Sequence, residues 1–345
     1  MSNGVAYPNL AEHMVRVPLE ELRTTLLAML KKVSMFEFDS KVAVQRMIDA
    51  DLHGLPQHGV GRICEYLDAV DLGDIDPRGR VLTLVDSPAF AVLDGSRAIG
   101  SVAATKGIEL AVAKAKECGT GTVAVGNSQT LGALGVYATL AAAEGCICFC
   151  CTSTGGVMVS APGTSEAAVG NNAFAWAIPT AEESPLLIDS SCGTASRGKL
   201  NILQELGIPI PEGVLQSDAE NAPLLPRGGA MGFGMALACS ALAGPLAGGK
   251  MPNAKKKAII SANDSEHFFY VIDVSHFADL DGFKKKVTEA LAEIRQLPPT
   301  NAAEPVRIPG DRARAMSDGE SVPLLMSSAE QIRQRAAKMK IDVTW

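Results

Sequence analysis

The chain has 345 residues with 47% hydrophobic and 20% charged content, the make-up of an ordinary globular protein with a sizeable core. Its 38 acidic side chains against 31 basic ones give a formal charge of −7, which argues against nucleic acid or an anionic membrane as the main partner. No N-terminal basic-then-apolar stretch reads as a signal peptide and no apolar run reaches ~18 residues, so the expectation is a cytoplasmic protein with no membrane span.

Residues 1–17 carry no strong period. Pro18 then opens a helical pattern in which Leu19, Leu22, Leu26 and Leu30 recur on one face. A second helix is predicted from Asp39 or Ser40, either of which can cap it, through Val42, Val44, Met47 and Ile48. Gly73, Asp76, Pro77 and Gly79 mark a break, and residues 1–75 read as a small helical lobe.

Residues 76–304 read as a central α/β domain. Strands are predicted at Val81 to Val85 and Ala89 to Leu93, a long helix from Ile99 to Cys118 stopped by Gly119, a strand at Thr122 to Val125, and an alanine-rich helix from Gly132 to Glu144. Cys146-Ile-Cys-Phe-Cys-Cys151 is a strand whose alternation puts Cys146, Cys148 and Cys150 on one face and Cys151 on the other. The eight cysteines lack zinc spacing, so no metal is expected, and they read as small buried hydrophobes in a reducing compartment.

Gly155 to Gly170 is a long loop leading to a strand that ends at Pro179. Leu186 to Asp189 is a second apolar run, Ser190 to Gly198 a small-residue loop, and Lys199 to Leu206 a helix. Gly228, Gly229, Gly232 and Gly234 form a glycine-rich loop opening a helix from Met235 to Leu242. Phe268 to Val274 is a strand, Lys284 to Leu297 an amphipathic helix, and Pro298 to Pro309 a linker. In the segment 305–345, Ser327 with Glu330 reads as a capping box for a last helix to Lys338 that returns to the N-terminal lobe. Gly119-Thr-Gly121 precedes a strand instead of following one, so the phosphate-binding turn of a Rossmann unit is absent.

The densest chemistry lies in Asp51-Leu-His-Gly-Leu-Pro-Gln-His-Gly-Val-Gly-Arg-Ile-Cys-Glu-Tyr66. Gly54, Pro56 and Gly59 turn the backbone, so His58 belongs to a tight loop. A helix beginning just past Gly59 would project Arg62 and Tyr66 from one side, beside that histidine. A proton donor, a fixed cation and a phenol then converge, which suits a polarised carbonyl or imine next to a carboxylate. Taken by itself, an imidazole in a loop is more often a surface or packing residue. Asp189, at a strand end, is either a helix cap or a carboxylate that orients His58 and raises its pKa. Lys199 is either a surface lysine or an anion ligand. The glycines at 228, 229 and 232 are either a turn or an anion cradle of backbone N–H groups at a helix start.

The pattern Asp-Leu-x-Gly-x-x-x-His-Gly-x-x-Arg-x-x-x-Tyr resembles the signature of the malate/L-lactate dehydrogenase type 2 family, which includes sulfolactate and ureidoglycolate dehydrogenases, diketogulonate reductase and reductases of cyclic imino acids. Members read Ser-His-Gly where this chain reads Gln57-His58-Gly59. The resemblance runs from Val17 to about Arg314. Asn127-Ser-Gln-Thr-Leu-Gly-Ala-Leu-Gly-Val-Tyr137 is similar to a family block beside the nicotinamide, with Thr130 for histidine and Leu131 for phenylalanine. Gly170-Asn-Asn-Ala173 stands at a cofactor contact, and Met231 replaces a lysine. The loop between Asp218 and Leu225 looks shorter than its family counterpart.

The resemblance implies a mixed α/β (α+β) fold with a non-Rossmann central sheet and a helical lobe from both termini, assembled as a homodimer. It implies NAD or NADP, bound through Ser128, Thr130, Gly132, Asn171, Asn172, Lys199, Gly228, Gly229 and Gly232. The reaction it implies passes a hydride between the nicotinamide and C2 of a small 2-hydroxy or cyclic imino acid. His58 would act as acid/base, assisted by Asp189, with Arg62 on the carboxylate and Tyr66 beside them. The substitutions at Thr130, Met231 and Asn171–Ala173 leave a second reading: a divergent member that has lost the nicotinamide and does non-redox acid–base chemistry, as a hydrolase or lyase, on a small carboxylate.

Overall fold

The computed structural model describes residues 10–219, 221–255, 265–302, 304–311 and 319–345; Arg314 and the first nine positions of the aperiodic N-terminal stretch lie outside them. The N-terminal part begins with β1 (Met14–Pro18), α1 (Leu19–Lys32) and α2 (Glu37–Leu52). Pro18 occupies the N-cap of α1 with extended backbone (ψ 129°). The second helix starts two residues before the predicted cap, and neither Asp39 nor Ser40 caps it: Phe36 is the cap residue, and Asp39 lies in the first turn, where a carboxylate meets the positive helix end. Two short 3₁₀ turns (Pro56–His58 and Val60–Arg62) then lead into α3 (Ile63–Asp71).

The central sheet has seven strands: β2 (Leu82–Asp86), β3 (Phe90–Asp94), β4 (Thr120–Ser128), β5 (Cys146–Ser153), β8 (Ala173–Ile178), β9 (Leu186–Ser191) and β10 (Ser265–Asp273). Their spatial order is β2-β3-β4-β10-β5-β8-β9. Only β3 and β4 run parallel, joined by α4 (Gly100–Cys118); every other pairing in this sheet is antiparallel. Strand β10 sits between β4 and β5, and this arrangement sets the sheet apart from a Rossmann sheet. The long loop predicted from Gly155 to Gly170 carries a minor two-stranded ribbon, β6 (Val159–Ser160) with β7 (Ala167–Val169).

Helices α4 and α5 (Leu134–Ala143) cover one face, and α7 (Ala230–Leu242) packs against β5 and β8 on the other. The cysteine strand divides as its alternation dictates. Cys146, Cys148 and Cys150 join the α4/α5 core, and Cys151 joins the opposite cluster with Cys192 and Cys239. All eight cysteines are free thiols. Close contact of α4 with the sheet rests on two glycines. A Cβ on Gly107 would lie 2.8 Å from the Phe269 ring, and one on Gly121 would lie 2.0 Å from the Ala111 carbonyl oxygen.

The helix opened by the glycine-rich loop begins at Ala230, earlier than Met235, so Met231 to Gly234 are helical. Residues 230–247 also correct the expectation about apolar runs: this stretch is long and apolar enough to cross a membrane by length and composition. Its helix ends at Leu242, before Gly244 and Pro245, and it packs on the core through Ala236, Cys239 and Ser240.

The remaining helices are α6 (Arg197–Glu205), α8 (Leu280–Arg295) and α9 (Met326–Lys338). β11 (Ser321–Leu325) pairs antiparallel with β1, and α9 packs on α3, with Arg335 ion-paired to Asp68 at 2.8 Å. The capping box at Ser327 does not form, because the helix is already under way at Met326 and its cap residue is Leu325. Neither β1 nor β11 was predicted; each is too short and irregular in pattern to be read without its partner.

Replacing Gly121 by alanine should force β4 and α4 apart and cost ~1–3 kcal/mol, the usual range for overpacking a filled core. Chemical denaturation reads this as a lower midpoint; an unchanged midpoint would show that the helix–strand contact is not tight.

Candidate active site

His58 is placed by a buried carboxylate. Asp51, near the end of α2 and only 3% exposed, accepts the Val60 backbone N–H through Oδ2 at 2.7 Å. Burial pushes its pKa well above the usual carboxylate range, and the Val60 bond partly offsets that. Gly59 passes directly over this carboxylate: a Cβ there would lie 1.9 Å from Asp51 Oδ1. Its φ of −82° is open to any residue, so the requirement at 59 is one of space. The predicted helix past Gly59 begins as a 3₁₀ turn, and Arg62 is the N-cap residue of α3. Arg62 still lies beside Tyr66, with its guanidinium carbon 5.8 Å from the ring centre, and it pairs with Glu65 at 2.7 Å.

Asp189 lies on β9, the sheet edge, and reaches the start of α5, where Oδ2 accepts the Gly135 N–H at 2.8 Å. It is therefore a helix-end carboxylate and a wall of the same cavity as His58. The pairing Asp189–Ala175–Cys150 places its side chain on the α4/α5 face of the sheet.

That cavity is about 320 Å³. His58, Arg62, Tyr66, Asp189, Thr130, Gly132, Asn171, Asn172 and Lys199 all line it. Apolar groups from Leu55, Leu131, Leu134 and Met158 complete the wall. Four of its lining residues are cationic (Arg62, Arg197, Lys199 and Arg227), against one carboxylate, Asp189. The electrostatics correct one expectation. Asp189 does not raise His58; burial lowers the imidazole pKa to about 4, and the positive charges of Arg62 and Lys199 add to the effect. Asp189 is exposed at the sheet edge, yet the protein packed around its carboxyl raises its pKa to about 6, with the Gly135 N–H acting against it. At neutral pH the imidazole is thus uncharged and the carboxylate mostly ionised.

Four of the predicted cofactor residues fall outside this lining. Ser128, 1% exposed, turns inward and bonds His267. Gly229 lines a neighbouring hollow of about 550 Å³ with Ser160, Pro162, Thr164 and Gln216. Gly228 and Gly229 hold left-handed backbone (φ 64° and 65°). Gly232 is buried in α7, where a Cβ would lie 2.2 Å from the Arg227 carbonyl oxygen. Met231 is 80% exposed and outside both hollows, so its exchange for lysine leaves the cavity untouched.

Sequence reasoning missed Thr152, Thr154, the Ser190–Gly198 loop as a wall, and Arg227. Arg227 stands directly before Gly228 in the sequence. Its Nε donates to the Ser191 carbonyl (3.1 Å), and this ties the two loops together. Asn171 holds the same loop, donating to the Ala195 carbonyl and accepting from the Gly193 N–H, both at 2.9 Å. Ser196 caps α6 by accepting the Lys199 N–H, which fixes where Lys199 leaves the backbone.

With this geometry in place, the comparisons assign the class: an oxidoreductase, a hydroxy-acid dehydrogenase in kind. The chain belongs to the malate/L-lactate dehydrogenase family, whose model matches residues 17–324. It is 29% identical to a malate dehydrogenase of Pyrococcus horikoshii over 352 residues, spanning 96% of this chain and 97% of that protein. It is 34% identical to the L-sulfolactate dehydrogenase of Methanocaldococcus jannaschii over 309 residues, covering 85% and 87% of the two chains. The solved structure of the Pyrococcus horikoshii malate dehydrogenase superposes with a TM-score of 0.87 at 26% identity, over 99% of this chain and 100% of that one.

Two outcomes follow from the cavity. In ligand-free protein the His58 ring should titrate near pH 4 and be neutral throughout pH 6–8, as read by NMR of the imidazole nitrogens; a midpoint at or above the ordinary imidazole value contradicts the account by burial and cations. Gly59→Ala should push the His58 loop off Asp51 and lower kcat/KM by at least ~10-fold. Wild-type kinetics in that variant would show that the loop's position is immaterial.

Proposed function

We propose that the protein transfers a hydride between NAD(P) and C2 of a small 2-hydroxy acid, with a second anionic group on the substrate. The observation that carries this is the cavity lining: a histidine and a carboxylate with opposed pKa shifts, faced by four cations and closed by apolar side chains. The names of the relatives, malate and sulfolactate dehydrogenases, supply the substrate type, a hydroxy acid bearing a further carboxylate or sulfonate.

Arg62 and Lys199 hold the substrate's carboxylate by charge-assisted bonds. In the oxidising direction, neutral His58 takes the hydroxyl proton as the C2–H bond breaks; in the reverse direction it returns that proton to the forming hydroxyl. The substrate's negative charge offsets Arg62 and Lys199, the two cations that lower His58. The bound anion therefore raises the imidazole toward the operating pH, where a general acid–base is most effective. Asp189 stays ionised and balances the charge that His58 acquires. The apolar walls from Leu55, Leu131 and Met158 keep water from the reacting carbon.

When bound, the nicotinamide supplies the hydride acceptor or donor. The chain offers fitting ground for it. Consecutive residues line the two hollows, Arg227 the first and Pro226, with Gly229, the second. Arg197 and Arg227 are placed for phosphate, and Asn172 Oδ1 is a buried acceptor with no partner among the described residues. A relative of this length, the (2R)-3-sulfolactate dehydrogenase of Chromohalobacter salexigens, is named for NADP. A cytoplasmic homodimer is the setting that goes with this reading.

Fluorescence titration with NADH and NADPH tests it. We expect sub-millimolar binding of at least one, and malate- or sulfolactate-dependent reduction of the oxidised form. His58→Ala should lower kcat by ~10²–10⁴-fold, the usual worth of a positioned acid–base, and leave the cofactor Kd unchanged. Absence of binding by both dinucleotides would return the non-redox reading to first place.

A further inference from the structure

The central sheet is covered unequally on its two sides. Helices α4 and α5 close one face. On the other, α7 meets β5 and β8, and the short 3₁₀ turn Pro245–Ala247 meets β4 and β10. Both covers lie toward the C-terminal ends of β4 and β5. The turn crosses β4 at Gly126, where a Cβ would lie 2.3 Å from the Ala247 carbonyl oxygen, and the α7 cluster takes in Cys151 and Phe174. Further from that end, strand register lines up six side chains on this face, one from each of β3, β4, β10, β5, β8 and β9. They are Phe90, Thr122, Tyr270, Phe149, Trp176 and Ile188.

None of the six is buried: Phe90 and Ile188 are exposed, and the four between them are half-buried. The Phe149 and Trp176 ring centres lie 4.8 Å apart. Neither this row nor the next one toward α7, from Val85 on β2 to Ser190 on β9, holds a charged side chain. The covering elements are themselves apolar outside, with Leu237 on α7 and Leu246 on the turn exposed. Residues 230–247 are apolar enough to cross a membrane, yet only 39% of that run is buried.

A sheet face of this make-up needs a further layer. Taking ~200 Å² for a large free side chain, the exposed apolar residues of this face, of the β2 edge and of α7 present about 800 Å², one partner's share of a standard interface. The largest apolar patch of a typical monomer is smaller, ~300–600 Å². A second copy of the chain fits as the occupant. A twofold axis lays a patch against itself, so the patch must complement itself. Two apolar sheet faces do this by interdigitating, and an uncharged row brings no like charges together although each copy carries −7. A bilayer fits less well. The net charge opposes anionic lipid, and a surface that lies in a membrane is rimmed with Lys and Arg, whereas α7 holds no charged residue. We propose that this sheet face, with the outer side of α7, is the surface on which two copies of the chain associate. The proposal stands apart from the reaction assigned to the cavity.

Sedimentation equilibrium tests it. At micromolar concentration the native protein should show twice the 36.0 kDa of one chain. Trp176→Arg and Ile188→Arg each put a charge into the row and should raise the dimer Kd at least ~30-fold, the worth of one interface hot spot. Leu72→Arg, at an exposed position just past α3 in the helical lobe, should leave it unchanged. Thermal melting checks that each variant folds. A second measurement needs no charge: Trp345→Phe leaves Trp176 as the one tryptophan. Its fluorescence should resist acrylamide while the mass is doubled and yield to it as dilution halves the mass. A monomeric native protein, a dimer that both row variants leave intact, or a Trp176 freely quenched within the dimer overturns the proposal and leaves the nicotinamide reading untouched. A monomer whose Trp176 becomes shielded only on anionic vesicles also overturns it, and gives the face to a membrane instead.

Discussion

One buried carboxylate holds the site together. Asp51 sits below the loop that carries His58, takes the Val60 N–H, and leaves room above itself for a residue with no side chain. A carboxyl group taken out of water is costly unless it is bonded. Here that cost is offset by fixing the one loop whose placement decides whether the imidazole meets Asp189 across the cavity. The neighbouring elements depend on the same point: α3 starts from this loop and positions Arg62 and Tyr66, and α9 packs on α3 from the far end of the chain.

The cavity's chemistry comes from opposed shifts in a shared environment. Partial loss of water around both His58 and Asp189 disfavours their charged forms, so one is driven down and the other up. The surplus of cations makes the cavity attractive to anions and hostile to an imidazolium. On the proposed reading, an anionic substrate would change the protonation behaviour of His58. Asp189 holds the start of α5 and lines the cavity beside His58 at once.

Much of this was legible in the sequence where the signal was local. The turn residues around His58, the four-residue steps to Arg62 and Tyr66, the helix ended by Gly119 and the alternation of the cysteine strand all depend on near neighbours, and each has its counterpart in the structure. The signal failed where distance decides. Strands β1 and β11 are short and define one another only across some three hundred positions, the separation of the Arg16–Ser321 hydrogen bond being 305. Ser128 was grouped with the cofactor residues because its neighbours were, yet the parity of β4 turns it to His267, 139 positions away. His267 and Thr152 carry no local mark at all, since their pairing is set by which strand fills the middle of the sheet. The shift of His58 was misjudged because its burial and its two cations, one of them 141 positions away, are properties of the folded cavity.

The strand that fills that middle arrives late. β10 supplies the hydrogen bonds of one edge of β4 and one edge of β5, and it is translated more than a hundred residues after both. A nascent chain that has emerged only as far as β9 therefore carries two open edges flanking a gap one strand wide, a template for mispairing with other chains. Sheet closure and the burial of His267 both wait on the arrival of this strand. Local helices can form early, but closure of the central sheet is a long-range step, intrinsically slow because distant loops must close before any pairing rewards them.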